Sequence, residues 1–165
     1  MIFLIERTLV LLKPDAVQRG IVGQIITRFE NAGLKIVGMK MVWANGDLAK
    51  KHYFDVAERH SEKILMALVK YLKEGPIIAM AVEGVSAISF VRKMAGSTYP
   101  NQAIPGSIRG DFAHISKDYA NANDKKVGNL VHSSANSEEA KYEVELWFKP
   151  EELHTYKTVH EVHVM

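Results

Sequence analysis

The hydrophobic positions along the chain change period in a way that outlines its elements. Thr8 to Leu12 is a short apolar run stopped by Lys13-Pro14, and proline cannot donate to a continuing ladder, so a buried strand with a lysine at its exit is predicted. Val22, Ile25, Ile26 and Phe29 then fall at i, i+3, i+4 and i+7, one apolar helical face, with Gly33 placed for a left-handed helix end. Leu34 to Trp43 has the β-branched and large apolar content of a second strand. Asp47 to Tyr71 is predicted helical in two pieces, with Ser61 as a new N-cap and Gly75-Pro76 as the stop. Ile77 to Val82 gives a third strand, and Ile88, Val91 and Ala95 mark a helix closed by Gly96. From Ser97 to Gly128, prolines, glycines and asparagines predict irregular chain, which in compact domains is usually functional. Asn129 to His132 forms a fourth strand, and Ala140, Val144, Trp147 and Phe148 a last amphipathic helix.

This order contains a βαββαβ plan with an added helical hairpin. The expected fold class is therefore α+β, a ferredoxin-like sandwich whose four-stranded antiparallel sheet carries helices on its face. With 165 residues, one domain over 1–165 is expected, with 155–165 as an extended tail that could pair with a sheet edge or a neighbouring subunit.

Composition narrows the function. There are 21 Lys and Arg against 19 Asp and Glu, spread along the chain, which argues against nucleic-acid coating. No cysteine is present, so disulfides, thiolate metal sites and thiol nucleophiles are excluded. The apolar opening, Met1 to Ile5, is too short for a signal core or a membrane span, and a cytoplasmic location without membrane contact is expected.

His132 leaves the fourth strand beside the start of the last helix, where unpaired N–H groups would favour an arriving anion. Glu143, at the edge of the last helix's apolar stripe, could fix the tautomer of that imidazole and leave its other nitrogen as a nucleophile; taken alone it is a solvated glutamate. Lys13, Arg92 and Arg109 come from three separate segments and could together neutralise a polyphosphate, or could be ordinary surface charges. No P-loop run, G-x-G-x-x-G, H-R-D or D-F-G occurs; Gly110-Asp111-Phe112 has the wrong order. His160 and His163 lack a third metal ligand.

Asn129-Leu130-Val131-His132-Ser133-Ser134, followed by Glu138-Glu139-Ala140 and Glu143, resembles nucleoside diphosphate kinase. Glu6-Arg7-Thr8-Leu9, Lys13-Pro14-Asp15-Ala16-Val17, Gln18-Arg19-Gly20, His52-Tyr53, Gly75-Pro76 and Ser107 to Phe112 match in order, so the likeness runs from about Glu6 to Leu153. The resemblance implies a two-step exchange in which a nucleoside triphosphate phosphorylates His132 and a nucleoside diphosphate takes the phosphoryl group away. It implies that Glu143 holds the histidine, that Ser134 lies beside it, and that Lys13 and Tyr53 reach the transferred phosphate. Arg92, Arg109 and Thr98 would bind the inner phosphates, Asn129 the sugar, and Ile64 would stand where the family places an aromatic against the base. It further implies Mg²⁺ and a homo-oligomer, hexamer or tetramer. Where the family commonly has H-G-S-D-S, this chain has His132-Ser133-Ser134-Ala135-Asn136, so Mg²⁺ would be held by nucleotide phosphates with no direct protein ligand. Ala135 and Ile64 also motivate an alternative, a scaffold that binds or assembles without efficient catalysis.

Overall fold

A computed structural model describes residues 5–163; the opening run through Leu4 and the last two residues of the tail lie outside it. Four strands, β1 (Ile5–Leu12), β2 (Lys35–Val42), β3 (Ile77–Val85) and β4 (Val131–Ser133), form one sheet in the order β2-β3-β1-β4. Every neighbouring pair is antiparallel. Helices cover both faces, which explains why the β1 residues from Thr8 to Leu12 are all fully buried rather than alternating. Leu9 and Leu11 point into a core shared with Ala49, Leu65, Leu72, Val144 and Trp147, while Val10 and Leu12 point into one shared with Ile25, Phe29, Val91 and Ile108.

The helices are α1 (Pro14–Gln18), α2 (Val22–Asn31), α3 (Gly46–His52), α4 (Val56–Arg59), α5 (Glu62–Leu72), α6 (Ala87–Ala95), α7 (Ile108–Phe112), α8 (Lys117–Ala122), α9 (Ser137–Trp147) and α10 (Val159–His163). The predicted cap at Ser61 is present: its Oγ accepts from the Ile64 N–H at 3.3 Å. Between Ser97 and Gly128 the chain is less irregular than expected. It contains a 3₁₀ turn (Pro100–Gln102), α7 and α8, the helices capped by the Ser107 and Ser116 hydroxyls. Each is too short to show an apolar repeat, so capping carries what the pattern could not reveal.

The segment from 155 on is not an extended tail throughout, since α10 ends it. It straps the outer edge of β2: the His154 N–H donates to the Val37 carbonyl at 2.7 Å, and Tyr156 Oη donates to the Ile36 carbonyl at 2.6 Å. Lys35 Nζ closes the strap by donating to Glu161 Oε1 at 2.7 Å. The His160 ring lies over Gly33, at the space a Cβ would fill, and Gly33 has φ +80°. Farther along, Met39 and Met41 of β2 and Trp43 just after it are each more than half exposed.

Candidate active site

The site forms where β1 and β4 end. His132 pairs with Leu11 across the sheet, and the Lys13 N–H donates to the Leu130 carbonyl at 2.8 Å, which sets the strand-exit lysine beside the histidine strand. Between Asn129 and Val131 the chain makes a γ-turn, with the Val131 N–H donating to the Asn129 carbonyl at 2.7 Å. Its central residue, Leu130, has φ +67°, a strained conformation for a bulky side chain.

His132 Nε2 lies 2.8 Å from Glu143 Oε1, and Ser134 Oγ donates to Glu143 Oε2 at 2.6 Å. Ser134 is itself fixed from β1 by the Leu9 N–H. Glu143 is 2% exposed, so the solvated glutamate of the isolated reading is corrected: α9 turns this carboxylate into the core, where two donors satisfy it. Burial pushes the Glu143 pKa up, opposed by His52 and by the Ser134 hydroxyl. The His132 pKa is held well below the usual imidazole range, first by burial and then by Lys13, Arg109 and Arg92. The ring is therefore neutral. With its proton on Nε2, given to Glu143, the lone pair is on Nδ1.

The three cations converge by different means. Lys13 is buried, its Nζ donating to Asn129 Oδ1 at 2.7 Å and lying 5.0 Å from the centre of the Tyr71 ring. Burial, and then repulsion from Arg109, lower its pKa to about 7. Arg109 is buried as well, and three of its N–H groups hold backbone: Nε to the Asn129 carbonyl at 3.1 Å, Nη1 to Gly96 at 2.7 Å and Nη2 to Val131 at 2.6 Å. Its role is thus partly structural, with two N–H groups of the five left for a ligand. Burial followed by Arg92 lowers its pKa to about 10. Arg92 is exposed and lines a cleft of about 410 Å³ with Glu6, Ile88, Ser89, Ala135 and Ser137.

Asn129 Nδ2 donates to the Thr98 carbonyl at 3.0 Å, so Thr98 joins the cluster through its backbone while its side chain faces outward. Tyr53 is buried, its Oη has no hydrogen-bond partner, and burial pushes its pKa up. Ile64 is 44% exposed at the start of α5 and stands apart from this hydrogen-bonded group.

At the α9 N-terminus, Asn136 Oδ1 accepts from the Glu139 N–H, and Glu139 Oε2 accepts from the Ala135 N–H that precedes the helix. Sequence reasoning named His52 and Asp15 only within blocks of the resemblance, and Tyr71 only as a helix end, and gave none of the three a role in the site. The His52 ring meets His132 edge-on, with centroids 4.4 Å apart and planes at 80°. Trp147 Nε1 donates to His52 Nδ1 at 3.3 Å, which puts the His52 proton on a buried, unpartnered Nε2. His52 had stood in the sequence beside Tyr53 without a distinguishing mark.

His52, His132 and Glu143 are close enough together to hold a metal ion. The surroundings oppose it: Lys13, Arg109 and Arg92 already disfavour positive charge on His132, and the Glu143 oxygens already accept from His132 and Ser134. The cleft's lining holds a single carboxylate, Glu6, whose Oε2 accepts from the Ile88 N–H.

The family model described as nucleoside diphosphate kinase matches residues 6–153. A nucleoside diphosphate kinase of Pyrococcus horikoshii is 50% identical over 152 residues, covering 92% of this chain and 90% of the relative. One of Borreliella burgdorferi is 44% identical over 156 residues, 93% of each. Among solved structures, the transition-state mimic of the Borrelia burgdorferi enzyme with bound vanadate and ADP superposes with a TM-score of 0.92 at 44% identity, over 96% of this chain and 95% of that one. A halophilic enzyme from Halobacterium salinarum in complex with CDP gives 0.81 at 37% identity, over 95% and 96%. The histidine–carboxylate pair thus sits in a chain that belongs to the nucleoside diphosphate kinase family.

Proposed function

We propose that this chain transfers the γ-phosphoryl group of a nucleoside triphosphate such as ATP to a nucleoside diphosphate, with His132 as a temporary carrier. Support comes foremost from the orientation of one ring: Nε2 is tied to Glu143, which leaves Nδ1 with its lone pair beside Lys13, Arg92 and Arg109. In the first half-reaction the His132 Nδ1–P bond forms as the bond from the γ-phosphorus to the bridging oxygen breaks, and the diphosphate leaves. The ring becomes cationic, and Glu143 holds the Nε2 proton and balances that charge. A second diphosphate then attacks the same phosphorus and restores the neutral ring.

Such a transition state is loose and needs positioning and charge neutralisation more than covalent help. Lys13, Tyr53, Arg92 and Arg109 serve the phosphates, Thr98 the inner phosphates and Asn129 the sugar; Ser134 buttresses Glu143. Ile64 gives the base only apolar contact, consistent with a broad nucleotide range. Mg²⁺ would be held by the nucleotide's own phosphate oxygens, with no direct protein ligand, and would supply charge withdrawal from them. A homo-oligomer, hexamer or tetramer, is part of the same reading, since an edge strand bearing exposed Met39 and Met41, with Trp43 just after it, is a surface that proteins normally cover. Among the described residues no helix is long and apolar enough to cross a membrane; we place the protein in the cytoplasm.

Incubation with labelled ATP alone tests the reading. The wild type is expected to retain phosphate on His132, and His132→Ala to lose both the adduct and transfer. Full transfer by that variant would refute the assignment.

A further inference from the structure

The γ-turn that carries Asn129 is held from below by two residues with no assigned part in phosphoryl transfer. Tyr71, 3% exposed on α5, accepts the Asn129 N–H through its Oη at 3.2 Å. Asp15, on α1, accepts the Leu130 N–H through Oδ2 at 3.1 Å. The chain tucks under both at Gly128, where a Cβ would come within 3.0 Å of Asp15 Oδ2 and 4.0 Å of Tyr71 Oη. These contacts fix the two successive backbone N–H groups that lead into the strained φ of Leu130, a conformation that persists only where its surroundings over-determine it.

The same two residues face Lys13. Its Nζ lies 5.0 Å from the Tyr71 ring centre and donates to the Asn129 side chain whose backbone Tyr71 holds. Asp15 Oδ1 is buried without a hydrogen-bond partner while Oδ2 accepts the Leu130 N–H, and the carboxylate acts on Lys13 as a favourable charge. Deleting the turn's supports would release Asn129, and with it the lysine it aims.

We propose that Asp15 and Tyr71 are positioning residues for phosphoryl transfer: together they hold the Asn129–Val131 turn that aims Asn129 and Lys13, and Asp15 supplies the negative charge that faces the lysine. The proposal rests on the transfer reading above. The charged and titratable groups facing Lys13 are Asp15, Arg109, Tyr71, His132 and His52, and Lys126 faces Asp15 from the other side. Of these, Asp15 is the carboxylate that favours the ammonium, against burial and Arg109.

The experiment compares wild type, Asp15→Asn and Tyr71→Phe in steady-state kinetics from pH 6 to 9, with the folded fraction of each measured at every pH. Asp15→Asn keeps the shape and an acceptor for Leu130 but removes the charge. The alkaline limb of kcat/KM, where Lys13 loses its proton, should then move down by about half a pH unit or more. Tyr71→Phe keeps the ring over Lys13 and removes only Oη. Its kcat/KM should fall about tenfold, carried by KM, with the alkaline limb unmoved. A merely structural role predicts losses that track the folded fraction with pH limb and KM unchanged, and that result overturns the proposal. If Asp15→Asn does not fold, Tyr71→Phe decides alone, and a wild-type KM counts against the inference. The labelled-ATP adduct on wild-type His132 separates the two claims: its presence sustains the transfer reading whatever these variants do.

Discussion

Replacing Glu143 by Gln would separate the two services its carboxylate performs. The amide keeps the shape, and its oxygen can still accept from His132 Nε2 across the 2.8 Å gap while the NH₂ turns to Ser134. The tautomer survives and the charge is lost. Two unit charges about 4 Å apart at an effective dielectric of about 20 interact by roughly 4 kcal/mol. About half a charge develops on the ring at a loose transition state, so about 2 kcal/mol is lost, or roughly thirtyfold in the rate of phosphohistidine formation. A rapid-quench burst with labelled ATP measures that rate directly. Stability should move the other way. Burial raises the Glu143 pKa, so ionising it costs more in the folded chain than in the unfolded one, and its contribution falls as pH rises from the unfolded carboxyl value through the folded one. Glu143→Gln should therefore be at least as stable as wild type at pH 7, with the difference vanishing below about pH 4. A burst at the wild-type rate, or one slowed only in proportion to lost folding, would refute the reasoning.

Other outcomes follow from the same geometry. His52 and His132 both have pKa values held well below the free imidazole value, first by burial, so the unfolded chain takes up their protons first; stability is full above about pH 6.5 and declines below it by up to ~1.4 kcal/mol per pH unit for each ring. A urea midpoint that stays level from pH 7.5 to 5 would contradict this. Arg109→Lys keeps the charge but can no longer serve the Gly96, Asn129 and Val131 carbonyls together, and should cost about 2–4 kcal/mol in thermal unfolding. An unchanged Tm would remove its structural role. Gly33→Ala places a methyl group at φ +80° against the His160 ring and should lose about 1–2 kcal/mol and free the strap, exposing Lys157 to trypsin; an equally resistant tail would show that the strap does not depend on this contact.

The sheet and its long helices were legible because burial imposes a period. Val22, Ile25, Ile26 and Phe29 announce α2, and Ile25 and Phe29 are indeed fully buried. The short helices α1, α7 and α8 escaped because five or six residues carry no repeat, and hydroxyl caps such as Ser107 and Ser116 are common residues anywhere. Within the site, the motif pointed to His132, but the supports were silent. Arg109 spends its fork on three carbonyls, and a carbonyl has no letter of its own in a sequence. Asp15 and Tyr71 lie 56 positions apart along the chain, and only the fold brings them to adjacent amides of one turn. Glu143 looked solvated for a related reason: a helix face can be read from spacing, but two donors arriving from another strand cannot.

Because the Arg109 guanidinium is stapled to the end of α6 and to two carbonyls of the turn entering β4, it is held from swinging aside. On the transfer reading proposed above, each arriving polyphosphate meets a potential already in place, with little of the reorientation that mobile surface charges or water would have to undergo. A carrier that must be loaded and unloaded in alternation gains from that permanence, since its pocket is as ready for departure as for arrival.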